Sequence, residues 1–206
     1  MFERKIDTYK NYFWDFIASL DDNAVKKIYY SLDILKTQKR ISKKFVEHLR
    51  EGIYELKAEY ESNIYRVFFC FDEGNIVILF TGFQKKTTKT PKIEIEKAIL
   101  LKKNIMQQSN NYLTSVDDEM DKLYGKVGTP EREQFRREAY SYYMGQILQD
   151  ARKSEKVTIK ELAGRVGVDK SYISKIEKGI IEPGIAMFYR IATELGLSIE
   201  LNRQIT

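Results

Sequence analysis

Three runs dense in β-branched and aromatic residues, GIYELKAEY (52–60), IYRVFFCF (64–71) and NIVILFTGFQK (75–85), follow one another closely in the first half of the chain. Nothing similar follows until LSIEL (197–201). Runs of this kind bounded by turn-forming residues read as strands, and DEGN between the second and third makes them members of an antiparallel meander. From Arg132 to Leu195 helical spacing dominates instead. The chain therefore changes fold class along its length. We expect an α+β domain over residues 1–106, a polar linker and leading arm over 107–130, and an all-α domain over 131–206.

Helices complete the first domain. From Asp22 the apolar positions Val25, Ile28, Tyr29, Leu32 and Leu35 recur at three and four, behind a DD pair able to cap the first free amides. This helix ends near KTQKRISKK, which carries five basic residues and no acid, a solvated helix end or an RNA contact. A second helical pattern starts at Pro91, with Ile95, Ile99 and Ile105 on its apolar face and Glu94 and Glu96 in the first turn.

Charge is divided unevenly. Residues 1–106 hold 20 basic and 15 acidic side chains, net +5, whereas residues 107–206 hold 15 of each. A polyanionic partner thus suits the first half best. The one cysteine, Cys70, lies inside VFFCF, which excludes a disulfide framework or a cysteine zinc site and makes a buried thiol the expected state. No apolar stretch approaches the roughly 18 residues of a membrane helix, so a cytoplasmic protein without a membrane partner is expected.

In TIKELAGRVGVDKSYISKIEKG (158–179) the spacing is that of a helix-turn-helix. Leu162, Ala163 and Val166 form the inner face of the first helix, and Gly167 supplies the turn. Asp169 stands where it can cap the second helix, whose Ile173 and Ile176 face inward while Lys170, Ser171, Ser174, Lys175 and Lys178 point out. A short helix with hydroxyls and lysines on its free face suits a DNA major groove. Together with EPGIAMFYRIATELGL and the preceding ILQDARK, this stretch resembles the Xre/Cro-type repressors over roughly Glu131 to Leu201. The resemblance implies base readout by Lys170, Ser171, Tyr172, Ser174 and Lys175, with Thr158 and Lys178 on phosphates. It also implies operator DNA as partner and a homodimer, with LSIEL or the last helix as contact surface. Lys170 stands where the family often has glutamine, so the operator sequence does not transfer.

Strand alternation sets Ile53, Glu55 and Lys57 on one side of their strand, and Arg66 alternates from Tyr65 and Val67. If the three strands pair in sequence, Lys57, Arg66, Lys85 and Lys86 converge on one face, as a site that stabilises charge on a phosphorus requires. FVEHLREGIYELK, IYRVFFCF and TGFQKKTTKTPKIEIEKAI resemble the HigB-like, phage Gp49-like branch of the RelE toxin superfamily, across nearly all of residues 1–106. That resemblance implies an mRNA interferase that cuts mRNA on the ribosome with the ribose 2′-hydroxyl as nucleophile, needing neither metal nor cofactor. It puts catalysis on Lys57, Arg66 and Lys85 and RNA binding on Lys86 and Lys89. Proton transfer falls to a lysine made less basic by like-charged neighbours, to Glu55, or to Thr87 or Thr90. His48, the sole histidine, is expected to be structural, and a two-histidine ribonuclease is excluded.

In order, the halves look like a HigB–HigA toxin–antitoxin pair made continuous. The acids Asp117, Asp118, Glu119 and Asp121 lie on an arm able to reach the basic first domain and silence it in cis; neutralisation by bulk, keeping the toxin out of the ribosome, is the rival. A DNA-binding regulator whose first domain serves only assembly is the alternative function.

Overall fold

The computed structural model describes residues 2–61, 63–72, 76–85, 90–107 and 112–199. Asp21 opens the first long helix as its sequence leads one to expect, its carboxylate accepting from the amides of Asn23 and Ala24 at 3.1 and 3.0 Å. This helix is α2 (Asp22–Thr37), preceded by β1 (Lys5–Tyr9) and α1 (Tyr12–Ala18). Then come β2 (Val46–His48), β3 (Tyr54–Tyr60), β4 (Asn63–Asp72), β5 (Ile76–Lys85), α3 (Lys92–Gln107), β6 (Leu113–Ser115) and α4 (Val116–Tyr124). The remainder is helical: α5 (Pro130–Ser154), α6 (Ile159–Val166), α7 (Lys170–Glu177) and α8 (Ile185–Glu194). An α+β region is thus followed by an all-α one.

The meander β3–β4–β5 is antiparallel throughout and forms the middle of a six-stranded sheet in the order β2-β3-β4-β5-β1-β6. Three of these strands escaped the pattern reading. β2 lies within VEHLRE, so His48 is in a strand rather than before one, packed edge-on to Tyr54 at 4.9 Å. β1 joins β5 in parallel and β6 antiparallel, although its buried residues include Asp7 and Thr8.

Alternation gives the sheet two faces. On one, Ile53, Phe68, Cys70, Ile78 and Phe80 pack with Ala98 and Ile99 of α3. The other buries Leu56, Ala58, Val67 and Leu79, the apolar surface that α2 requires.

Two compact units emerge, Met1–Ala139 and Tyr140–Thr206, divided within α5. Residues 113–124, expected within a linker and arm, form a strand and a helix of the first unit, and Val116 and Met120 of α4 are fully buried. Around Leu148, Leu162, Val166, Ile173, Ile176, Ile191 and Leu195 the second unit builds its own core. Its expected terminal strand is not formed over Leu197–Ile199, where Leu197 packs on that core instead; Glu200 and Leu201 lie outside the described residues. Among the described residues no helix is long and apolar enough to cross a membrane.

Candidate active face and helix-turn-helix surface

The register sets Lys57 directly opposite Arg66, Arg66 opposite Phe83, and Ile64 opposite both Glu59 and Lys85. Directly opposed residues share a face, so the backbone brings Lys57, Arg66 and Lys85 to one side of the sheet, on β3, β4 and β5. Lys86, Thr87 and Lys89 lie outside the described residues. At the centre of this group is a carboxylate, Glu55, which is 1% exposed. It forms an ion pair with the buried Arg66, lies 3.7 Å from Lys57 Nζ, and accepts from the Thr90 hydroxyl at 2.9 Å. Lys57 also reaches Glu47 at 2.5 Å. The premise of a lysine tuned by cations alone therefore changes: the nearest charges to Lys57 are negative. Buried Arg66 Nε finds no hydrogen-bond acceptor among the described residues. The Cys70 thiol is pushed up to about 11 by burial, which removes it as a nucleophile.

Against α2 and β1, on the far side from Glu55, lies the stretch from β6 to the start of α5. Tyr124 packs edge-on to Tyr29 at 5.6 Å, and Phe135 packs on Tyr30 at 5.1 Å. The Tyr30 hydroxyl donates to Glu138 at 2.5 Å, and Lys26 pairs with the same carboxylate at 2.9 Å. Burial disfavours the Glu138 carboxylate, but hydrogen bonds from Lys26, Tyr30 and Gln134 outweigh it and hold the group at about 2. Arg136 bridges to Glu3 at 3.2 Å and approaches Asp33 at 3.8 Å. Of the four acids, Asp117 pairs with the buried Lys36 at 2.6 Å. Glu119 instead pairs with Lys122 of its own helix, and Asp121 approaches Arg132 at 3.4 Å.

In the second unit Thr158 and Glu161 form a capping box: the Thr158 hydroxyl accepts from the Glu161 amide at 3.1 Å, and the Glu161 carboxylate accepts from the Thr158 amide at 2.7 Å. Thr158 is exposed at the start of α6, and its hydrogen bonds hold the Glu161 carboxyl below its ordinary pKa. Gly167 ends α6 at φ +69°, the left-handed turn its position demands. Asp169 occupies the start of α7 but makes no side-chain capping bond, contrary to expectation. Along α7 Lys170, Ser171 and Lys175 are exposed, as is Lys178 just beyond it. Tyr172 and Ser174 are half-buried, Tyr172 leaning on the core.

A structural pair went unseen in the sequence: Arg152 clamps Glu177 at 2.6 and 2.8 Å and also donates to the Val157 carbonyl at 2.9 Å. Its two members stand 25 residues apart on α5 and α7, and no local pattern announces it.

Family models match both parts of the chain. Residues 15–103 match the family described as phage derived protein Gp49-like (DUF891), and residues 148–202 match the helix-turn-helix family. The chain thus carries a Gp49-like domain followed by an Xre-type helix-turn-helix domain. A curated relative from Sinorhizobium fredii, an uncharacterized HTH-type transcriptional regulator, is 39% identical over 59 residues, 29% of this chain and 30% of the relative's length. Among solved structures, the restriction-modification controller protein C.AhdI from Aeromonas hydrophila is 27% identical, with a TM-score of 0.28 over 29% of this chain and 91% of the other. The clp gene regulator ClgR from C. glutamicum is 29% identical, with a TM-score of 0.28 over 29% and 76%.

Proposed function

We propose that the protein is a toxin and antitoxin in one chain: an RNA-cleaving Gp49-like domain held silent in cis by the segment that follows it, and a helix-turn-helix domain that represses the chain's own promoter. The observation that carries this reading is Lys57 and Arg66, paired across two strands around the buried Glu55, within the Gp49-like match. Arg66, Lys57 and Lys85 supply positive charge where a cleaved phosphodiester becomes more negative, and Glu55 orients the two cations on β3 and β4. The ribose 2′-hydroxyl adjacent to the scissile phosphate attacks it, losing its proton to Glu55 or through Thr90, and the P–O5′ bond breaks as the leaving 5′-oxygen takes a proton from a lysine of the site or from water, leaving a 2′,3′-cyclic phosphate and a 5′-hydroxyl. Lys86 and Lys89 hold the RNA beyond the strand end.

The following segment grips α2 and β1 rather than the Lys57 side of the sheet, so bulk that excludes the domain from the ribosome accounts for silencing better than an acidic cover. On DNA, Lys170, Ser171 and Lys175 read bases from α7 while Thr158 and Lys178 fix the helix on phosphates. Tyr172 and Ser174 lend partial contact from the margin of that surface. A homodimer on a palindromic operator fits this arrangement.

A second reading, a DNA-binding regulator with an assembly domain, draws on the burial of Arg66 and Glu55, which also suits a purely structural pair. The deciding experiment compares translation-dependent cleavage of a reporter mRNA by residues 1–106, by the whole chain and by an Arg66→Ala fragment, each checked for folding by circular dichroism. Cleavage by the first alone supports the proposed function. A folded fragment that never cuts favours the assembly domain. Gel shifts on the DNA upstream of the gene test the other half: Lys175→Ala is expected to weaken binding by about 1–3 kcal/mol.

A further inference from the structure

Just past β1 the backbone passes through Lys10 at φ +54°, a left-handed conformation that a lysine adopts only against steric resistance. The Lys10 amide donates to the Tyr112 carbonyl at 2.9 Å and pins this turn. As a result Lys10 Nζ stands 5.0 Å from the centre of the Tyr9 ring and 5.4 Å from that of Tyr112, within reach of both π faces. A hydrogen bond with Tyr9 raises the pKa of this ammonium, which keeps its charge. Tyr9 itself is buried, and around it at 6.3 and 6.4 Å stand Tyr12, 41% exposed, and Tyr112, 52% exposed. Lys10, Asn11, Tyr12, Asp15 and Tyr112 together line an open cavity of about 430 Å³.

Where this cavity lies gives it meaning. β1 runs parallel to β5 with Thr8 opposite Leu79, so Tyr9 and Lys10 continue toward the end of β5 that carries Phe83 and Lys85. Phe83 is the residue opposite Arg66. Tyr9 packs in the cluster on the α3 side, the face shared by Lys57 and Arg66. The cavity therefore opens at the end of the sheet, on the second strand over from Arg66, with Tyr9 on the α3 side and α1, whose Phe16 packs over Gly82 opposite Val67, on the α2 side.

We propose that this cavity is a stacking subsite for single-stranded RNA. Tyr12 and Tyr112 offer ring faces to a base, Lys10 neutralises the adjoining phosphate, and Asn11 and Asp15 present an amide and a carboxylate to the base edge. This inference rests on the RNA-cleaving reading and extends it by giving the RNA strand a path from the Lys57–Arg66 face around the end of the sheet. Tyr112 belongs to the same compact unit as Lys10 and Tyr12 but lies beyond residue 106, so the whole chain is needed to test the subsite.

The test uses the whole chain and a short fluorescein-labelled single-stranded RNA of mixed sequence, followed by anisotropy without ribosomes. A Tyr12→Leu, Tyr112→Leu double variant is expected to bind about tenfold more weakly. The corresponding double phenylalanine variant, which keeps both rings, is expected to bind as the parent does. Lys10→Gln retains both rings and is expected to flatten the salt dependence, which serves if the leucine variant misfolds. Unchanged binding by the folded leucine variant, or an unchanged salt dependence for Lys10→Gln, alongside weakened binding by Arg66→Ala, overturns the subsite and leaves the RNA reading standing. Failure of the parent chain to bind the RNA at all overturns both.

Discussion

Each unit buries one arginine against one glutamate, and the two pairs are finished to different degrees. In the second unit every nitrogen of Arg152 has an acceptor, two of them on Glu177. In the first, Arg66 Nε is buried without one among the described residues, while Glu55 is divided among Arg66, Lys57 and Thr90. A saturated pair has nothing left to offer a ligand and serves to fix helices. An incompletely satisfied one keeps a buried donor whose desolvation has no return among the described residues.

The largest expected effect breaks the finished pair. Glu177→Ala strands the Arg152 charge in the core of the helix-turn-helix unit and is expected to cost about 3–5 kcal/mol, read as early melting of that unit in calorimetry with loss of DNA binding. Glu55→Gln removes the charge at the other pair while leaving one carbonyl acceptor for Arg66 and an amide that can donate to the Thr90 hydroxyl, and is expected to cost about 1.5–3 kcal/mol in urea unfolding. A cost for Glu55→Gln equal to that of Glu177→Ala contradicts the distinction, because it makes both pairs equally structural.

The smallest effect concerns how the segment after β6 is held on α2. The Glu138 carboxyl is held at about 2, below its ordinary 4.5. Its contribution to stability is therefore present above about pH 4.5 and lost as the pH falls toward 2. Asp33, raised by burial against the pull of Arg136, Arg132 and Lys36, works in the opposite direction, so the parent profile mixes the two. The difference in urea midpoint between the parent and Glu138→Gln isolates the first, and it is expected to shrink as the pH drops from 5 to 3.

Periodicity made the meander, α2, α3 and the helix-turn-helix legible, because in each the apolar spacing and the capping or turn residue agree. β1 was hidden because Asp7 and Thr8, buried in the sheet, interrupt its apolar alternation, and β6 because three residues are too few to show a period. The alternation of β3 and β4 foretold the shared face of Lys57 and Arg66. It did not foretell that Glu55 would be the charge between them, since alternation assigns a face and says nothing of which ions meet there. The Tyr9, Tyr12 and Tyr112 cluster joins residues a hundred positions apart and is visible only once β6 is paired with β1.

That pairing also sets a clock. β1 precedes every other strand in the chain, yet its neighbours on the sheet are β5 and β6. During synthesis it has no strand to pair with until β5 has been made, and it remains the rim of the sheet for about thirty residues more, roughly 2–6 s at ordinary elongation rates. For those seconds the nascent Gp49-like domain has an open flank that later belongs to Leu113–Ser115. Because β1, β5 and β6 belong to one chain, the length of that interval is set by the speed of translation.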